Sequence, residues 1–126
     1  MSNWGQRAKE DKVREVRITM DVVVDAYDEV ERSLSWYYYL QDNLSFPLVA
    51  QCIVTTATSS LRAGDEVEVT GMPAESDCEQ DMLVNIHWKS VAFAVPLSQL
   101  KPIIVDGTAQ EAIADWHYWV AQGRQF

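Results

Sequence analysis

The chain has no run of about 18 apolar residues, so nothing in it is expected to cross a bilayer as a helix. Met1 to Arg17 is polar and charged and lacks the apolar centre of a signal peptide, so the expected location is the cytoplasm. Cysteine is scarce. Cys52 and Cys78 are the only two, they lack Cys-x-x-Cys spacing, and one pair in a chain of 126 residues is not a disulfide scaffold. A reduced pair is the expectation. With only His87 and His117 besides, a tetrahedral zinc site is poorly signalled. No P-loop, Gly-rich phosphate loop or Ser-His-Asp order is present, and no spacing singles out a nucleophile or general base. The chain is therefore not expected to be an enzyme.

Basic residues are also scarce beyond the first segment. Up to Arg17 there are five (Arg7, Lys9, Lys12, Arg14, Arg17) against three acidic residues. From Ile18 onward 16 acidic residues face 5 basic ones. So acidic a body repels nucleic-acid phosphates and attracts cations or a basic protein surface. The basic start reads as a solvating tail over residues 1–12.

What is there fits one domain, residues 1–126, with 48% hydrophobic residues to build a core. Residues 16–45 follow a helical period. Val22, Val23, Ala26, Tyr27, Val30, Leu34, Tyr37, Leu40 and Leu44 share an apolar sector, opposite Asp21, Asp25, Asp28, Glu29, Glu31 and Asp42. Three β-branched residues, Val22 to Val24, weaken the helix and leave room for a break near Asp25, with Asp25 then capping a second helix. Pro47 ends the helix by residue 46.

The pattern then changes to short strands at 48–56, 65–70, 82–88, 91–95 and 101–105. In the second, Val67 and Val69 alternate with Glu66 and Glu68, the mark of a half-buried strand. Five short strands in a small span suggest a barrel. The run SVAFAVPLSQLKPI is similar to the last two strands of SH3-like barrels, with a 3₁₀ turn after Val-Pro. A helix over 108–122 follows, with Thr108 as cap and Glu111 as capping-box partner. The expected fold is α+β: an N-terminal amphipathic helix, an SH3-like five-stranded antiparallel barrel (48–105) and a C-terminal helix.

The segment Glu75-Ser76-Asp77-Cys78-Glu79-Gln80-Asp81 places carboxylates at every second position. Calcium takes six to eight hard oxygen ligands, and alternate carboxylates of a loop can turn to one centre. Met82 stands where an EF-hand needs Gly, and Trp88 where it needs Glu, so this is not an EF-hand. Further ligands would come from the helix: Asp42 at its C-terminal end, where the dipole favours a cation, and Asp28 and Glu31 on the same side. Asp25 and Glu29 are further candidates. Charged helix faces are common, and composition alone leaves this one as solvated surface. Trp36 and Tyr39 fall toward the polar face, which keeps open a second reading: an SH3-like interaction module binding a basic partner.

VVVDAYDEVERSLSWYYYLQDNLSFP, DEVEVTGM, the acidic segment with Cys78, VAFAVPLSQLKPI and AIADWHYWVAQG together resemble the cyanobacterial calcium-binding proteins of the CcbP type. The resemblance runs from Arg17 to Gly123. It implies a small cytoplasmic protein that binds Ca²⁺ without EF-hands, as a calcium buffer or regulator that restrains heterocyst differentiation in filamentous relatives. It implies ligands among Asp42, Glu75, Asp77, Glu79 and Asp81, with Asp28 and Glu31 as outer candidates. The charge balance and the lack of a long apolar run lead us to expect neither a nucleic-acid nor a membrane partner, and a monomer is expected.

Overall fold

The computed structural model describes residues 11–56 and 60–123. The tail expected over residues 1–12 lies outside them as far as residue 10. Its end does not fray: Asp11 caps the first helix, its side chain accepting the Arg14 N–H at 3.0 Å. That helix, α1 (Lys12–Arg17), runs on through a wider π-helical turn, Ile18–Val22. The chain then breaks and restarts as α2 (Glu29–Asn43).

The break falls at the β-branched triple, where the sequence places it. The cap is Asp28, not Asp25. The Asp28 side chain accepts the Glu31 N–H at 2.8 Å, and the Glu31 carboxylate accepts the Tyr27 N–H at 3.2 Å. The first bond satisfies a donor that a helix start otherwise leaves open, and the second ties the residue before the cap to the first turn. The break also resets the helical phase, so a single amphipathic helix over 16–45 is corrected to two. Tyr27 and Val30, assigned to the apolar sector, are exposed. The buried stripe of α2 is Ser33, Trp36, Tyr37 and Leu40, continued by Leu44 just past its end. Trp36, assigned to the polar face, is 0% exposed. Its ring lies 5.0 Å from Trp116 and 5.5 Å from Trp119. Such aromatic pairs are worth about 0.5–1.5 kcal/mol each beyond area burial. An aromatic partner surface at Trp36 is thereby ruled out.

Five strands follow: β1 (Leu48–Cys52), β2 (Glu66–Gly71), β3 (Leu83–Trp88), β4 (Val91–Pro96) and β5 (Leu100–Ile104). They form one antiparallel sheet in the order β4-β3-β2-β1-β5. In β2 the alternation holds, with Val67 and Val69 buried and Glu66 and Glu68 exposed. A 3₁₀ turn, Leu97–Gln99, is all that joins β4 to β5. Four residues from Pro96 to Leu100 reach at most about 14 Å. A flat sheet would set these two edges about 19 Å apart. The sheet is therefore strongly curled, helped by register shifts at Val49/Ala50 and Val69/Gly71. Yet β4 and β5 do not pair, so the closed barrel is corrected to an open, curled sheet.

The last helix, α3, spans Gly107–Ala121. Asp106 caps it, accepting the Ala109 N–H at 2.7 Å, where Thr108 was expected. Glu111, the expected box partner, turns instead to Arg17. Buried Ile18, Trp36, Leu40, Met82, Val84, Ile86, Leu100, Ile113 and Trp116 make one core between the helices and the sheet. Cys52 and Cys78 are both buried and unbridged.

Candidate metal centre

The acidic segment is a loop pinned from below. A 3₁₀ turn, Glu75–Cys78, opens with the Asp77 N–H bonded to the Ala74 carbonyl at 2.9 Å. Cys78 and Met82 point into the core at 1% and 0% exposure. A spacing of four between two apolar anchors leaves the residues around them at the surface. Glu75, Asp77 and Glu79 are exposed and Asp81 is half-buried.

This loop packs against the C-terminal half of α2. The Tyr37 hydroxyl donates to the Pro73 carbonyl at 2.5 Å, and the Tyr38 hydroxyl donates to the Glu75 carboxylate. Asp42 follows Tyr38 by four residues, so the two share a stripe of the helix. Side chains on a helix lean toward its N-terminus, which tilts exposed Asp42 over the turn that carries Tyr38. Asp28 and Glu31 belong to the same stripe but stand at its far end. Eleven residues separate Glu31 from Asp42, about 16 Å along the axis. Their carboxylates are engaged in the cap of α2. Asp25 lies exposed in the break and Glu29 in the first turn.

Burial, with the loop's negative field added at Cys78 and Tyr37 and the bond to Glu75 leading at Tyr38, raises the groups around the loop. Burial pushes the Cys78 thiol up, and Asp77 and Asp81 push it the same way. Burial also raises the Tyr37 hydroxyl, with Cys78, Glu75 and Asp77 adding to it. Tyr38 is raised chiefly by its bond to Glu75. Burial raises the Asp81 carboxyl against the pull of the Met82 N–H. A divalent cation lowers such a field, and the donors, all carboxylate oxygens, are those calcium prefers. In chemistry the set fits the ion. Among the described residues no three His, Cys, Asp or Glu side chains gather closely enough to hold a metal.

The histidines take no part. His87 is exposed on β3 opposite Glu68, and His117 is mostly buried with Nε2 2.6 Å from the Leu100 carbonyl. A cavity of about 520 Å³ beside β4 and one of about 510 Å³ beside Arg17 contain neither histidine in their walls.

One cluster escapes the sequence reading. Asp115 of α3 is 0% exposed. It accepts from Arg14 Nη1 at 2.5 Å, Arg17 Nε at 3.1 Å, Arg17 Nη2 at 2.6 Å and the Tyr39 hydroxyl at 2.6 Å. Arg14 and Arg17, counted with the basic tail, are thus structural. The bond to Asp115 raises the Arg17 pKa, while burial and then Asp115 raise that of Tyr39. The available signal is a lone carboxylate on the apolar stripe of α3, three residues after Ala112 and four before Trp119.

The model of the CcbP family, described as calcium binding, matches residues 16–120. Two solved structures superpose on the chain with a TM-score of 0.84, at 38% identity and 100% coverage of both chains. One is the crystal structure of Anabaena CcbP, the other a calcium-binding protein in the calcium-binding form. Among curated proteins nothing matches.

Proposed function

The chain belongs to the calcium-binding CcbP family, and on that premise we propose that it binds Ca²⁺ reversibly through the loop Glu75–Asp81. Glu75, Asp77, Glu79 and Asp81 supply the loop's carboxylates, and Asp42 of α2 is the helix's contribution. Asp28 and Glu31 belong in this reading to the cap of α2. The observation that carries it is the docking of the loop on α2: two buried anchors and the Tyr37 hydroxyl hold its backbone, the Tyr38 hydroxyl holds the Glu75 carboxylate, and Asp77 and Glu79 remain exposed. Four carboxylates on one loop give it a negative field, and a cation offsets that field. The role is that of a cytoplasmic calcium buffer or regulator. A part in restraining heterocyst differentiation follows from the family resemblance alone.

Binding to the folded state stabilises it by linkage. At calcium one hundred times the dissociation constant the gain is about 2.7 kcal/mol. With an unfolding entropy of about 2.1 cal/mol/K per residue, that raises the melting temperature by about 10 °C. The test is the thermal midpoint in Ca²⁺, Mg²⁺ and chelator, together with calorimetric titration. A rise specific to Ca²⁺ supports selective binding, because general screening distinguishes the two cations little. No saturable binding at micromolar to sub-millimolar Ca²⁺ refutes it.

A further inference from the structure

Three consecutive residues of α2 have different settings. Trp36 is in the core, Tyr37 is buried, and Tyr38 is 46% exposed. The core makes little use of the Tyr38 ring. Its position is nonetheless held: the ring packs edge-on against Tyr37, with centroids 5.4 Å apart and planes at 87°. Its hydroxyl donates to Glu75 Oε2. Tyr37, through the Pro73 carbonyl, fixes the backbone two residues before Glu75. One tyrosine therefore sets where Glu75 starts, and the next sets where its carboxylate ends. A carboxylate has two oxygens, and a hydroxyl bonded to one leaves the other to coordinate. The same stripe of α2 brings Asp42 one turn further on, tilted back over Tyr38.

We propose that Tyr38 is a positioning residue for calcium: its hydroxyl turns Glu75 toward α2 and Asp42, so that loop and helix carboxylates serve one ion. The proposal rests on the calcium reading above. Hydrogen-bonding partners of metal ligands orient them, and losing one typically costs 10–100-fold in affinity.

The test is Tyr38→Phe in the full chain, titrated with CaCl₂ by calorimetry. The variant keeps the ring and its edge contact, and its chelator melting curve checks the fold. Its affinity is expected to fall about tenfold. In a Glu75→Gln background the same substitution should add little, because the group it orients is gone. The wild-type chain should show a near-ultraviolet tyrosine difference band on binding calcium that Tyr38→Phe loses, a signature that a purely structural role would not produce. Affinity within twofold of wild type overturns the proposal, and so does an equal loss in the Glu75→Gln background. A rise in affinity also overturns it, since the hydroxyl would then compete with calcium for Glu75. If the wild-type chain binds calcium and Tyr38→Phe binds it equally, only this proposal fails. If the wild-type chain does not bind, both readings fall.

Discussion

Asp115→Asn is the sharpest perturbation of this fold. The substitution keeps the size of the side chain and removes its charge from beneath two guanidinium groups and a phenol. Removing one partner of a buried ion pair costs about 3–5 kcal/mol, because the other charge stays behind uncompensated. The arginine side chains retain 20% and 26% exposure, so water can reach them. That places the cost at the lower end, about 3 kcal/mol. Dividing by an unfolding entropy of about 0.26 kcal/mol/K for this length gives a fall of about 11 °C in melting temperature. Glu111→Gln is the internal control. Glu111 shares Arg17 but is 48% exposed, and exposed pairs are worth about 0.2–1 kcal/mol. The assay is thermal unfolding followed by circular dichroism, repeated in urea. Arg17→Met combined with Asp115→Asn should cost less than the sum of the two, because both break the same bonds. The reasoning is refuted if Asp115→Asn moves the midpoint by less than about 4 °C, or if Glu111→Gln costs as much. A large effect would also show that α1 is held by α3. A six-residue helix has too few bonds to persist alone, and its ties to α3 are Asp115, Glu111 and the Tyr118 hydroxyl.

Two further outcomes follow from local chemistry. Burial holds His117 below its ordinary 6.5, against the opposing pull of the Leu100 carbonyl. The unfolded chain therefore takes up the proton first as pH falls. This contribution to stability is complete above about 6.5 and is lost as pH falls toward the lower folded value. Urea midpoints between pH 7.5 and 5 should decline less steeply for His117→Gln than for wild type, and equal slopes would contradict this. At the β3–β4 turn, Lys89 and Ser90 have φ of 49° and 64°, the left-handed pair of a type I′ hairpin. A residue with a Cβ pays about 1–2 kcal/mol there, so Ser90→Gly should raise the midpoint by about 4 °C, and an unchanged or lower midpoint would refute the strain.

The sequence is most legible where a signal is local. The Val67 and Val69 alternation marks a strand within one residue of its observed bounds, and the Val22–Val24 triple marks the break in the helix. The caps mislead because each helix start offers two carboxylate or hydroxyl candidates. At α2 the discriminating cue is present, since Asp28 and not Asp25 has a glutamate three residues on. At α3 the same cue points wrongly to Thr108 and Glu111. Glu111 is drawn to Arg17, a residue 94 positions away that no local window includes. The unpaired sheet edges are non-local in the same way: each strand is readable, but pairing of β4 with β5 is a property of the whole curl.

The candidate site divides along the same line. Its carboxylates are legible as a spacing, and Asp42 as a helix end. The acidic stripe of α2 looks uniform in sequence because every residue on it has the same period. In the fold its two ends differ in what they touch. At the N-terminal end, Asp28 accepts an open N–H group of its own helix and Glu31 accepts the Tyr27 N–H just before it. At the C-terminal end the helix presents carbonyls, so Asp42 has no open N–H group in its own turn. A carboxylate already bonded to backbone N–H groups gives up those bonds to bind an ion, and one at the carbonyl end of a helix has none of them to give up. Helix polarity therefore separates residues of identical chemistry. It assigns the cap to Asp28 and Glu31, and in the reading proposed above it leaves Asp42, one turn beyond Tyr38, as the helix carboxylate with most to gain from a cation.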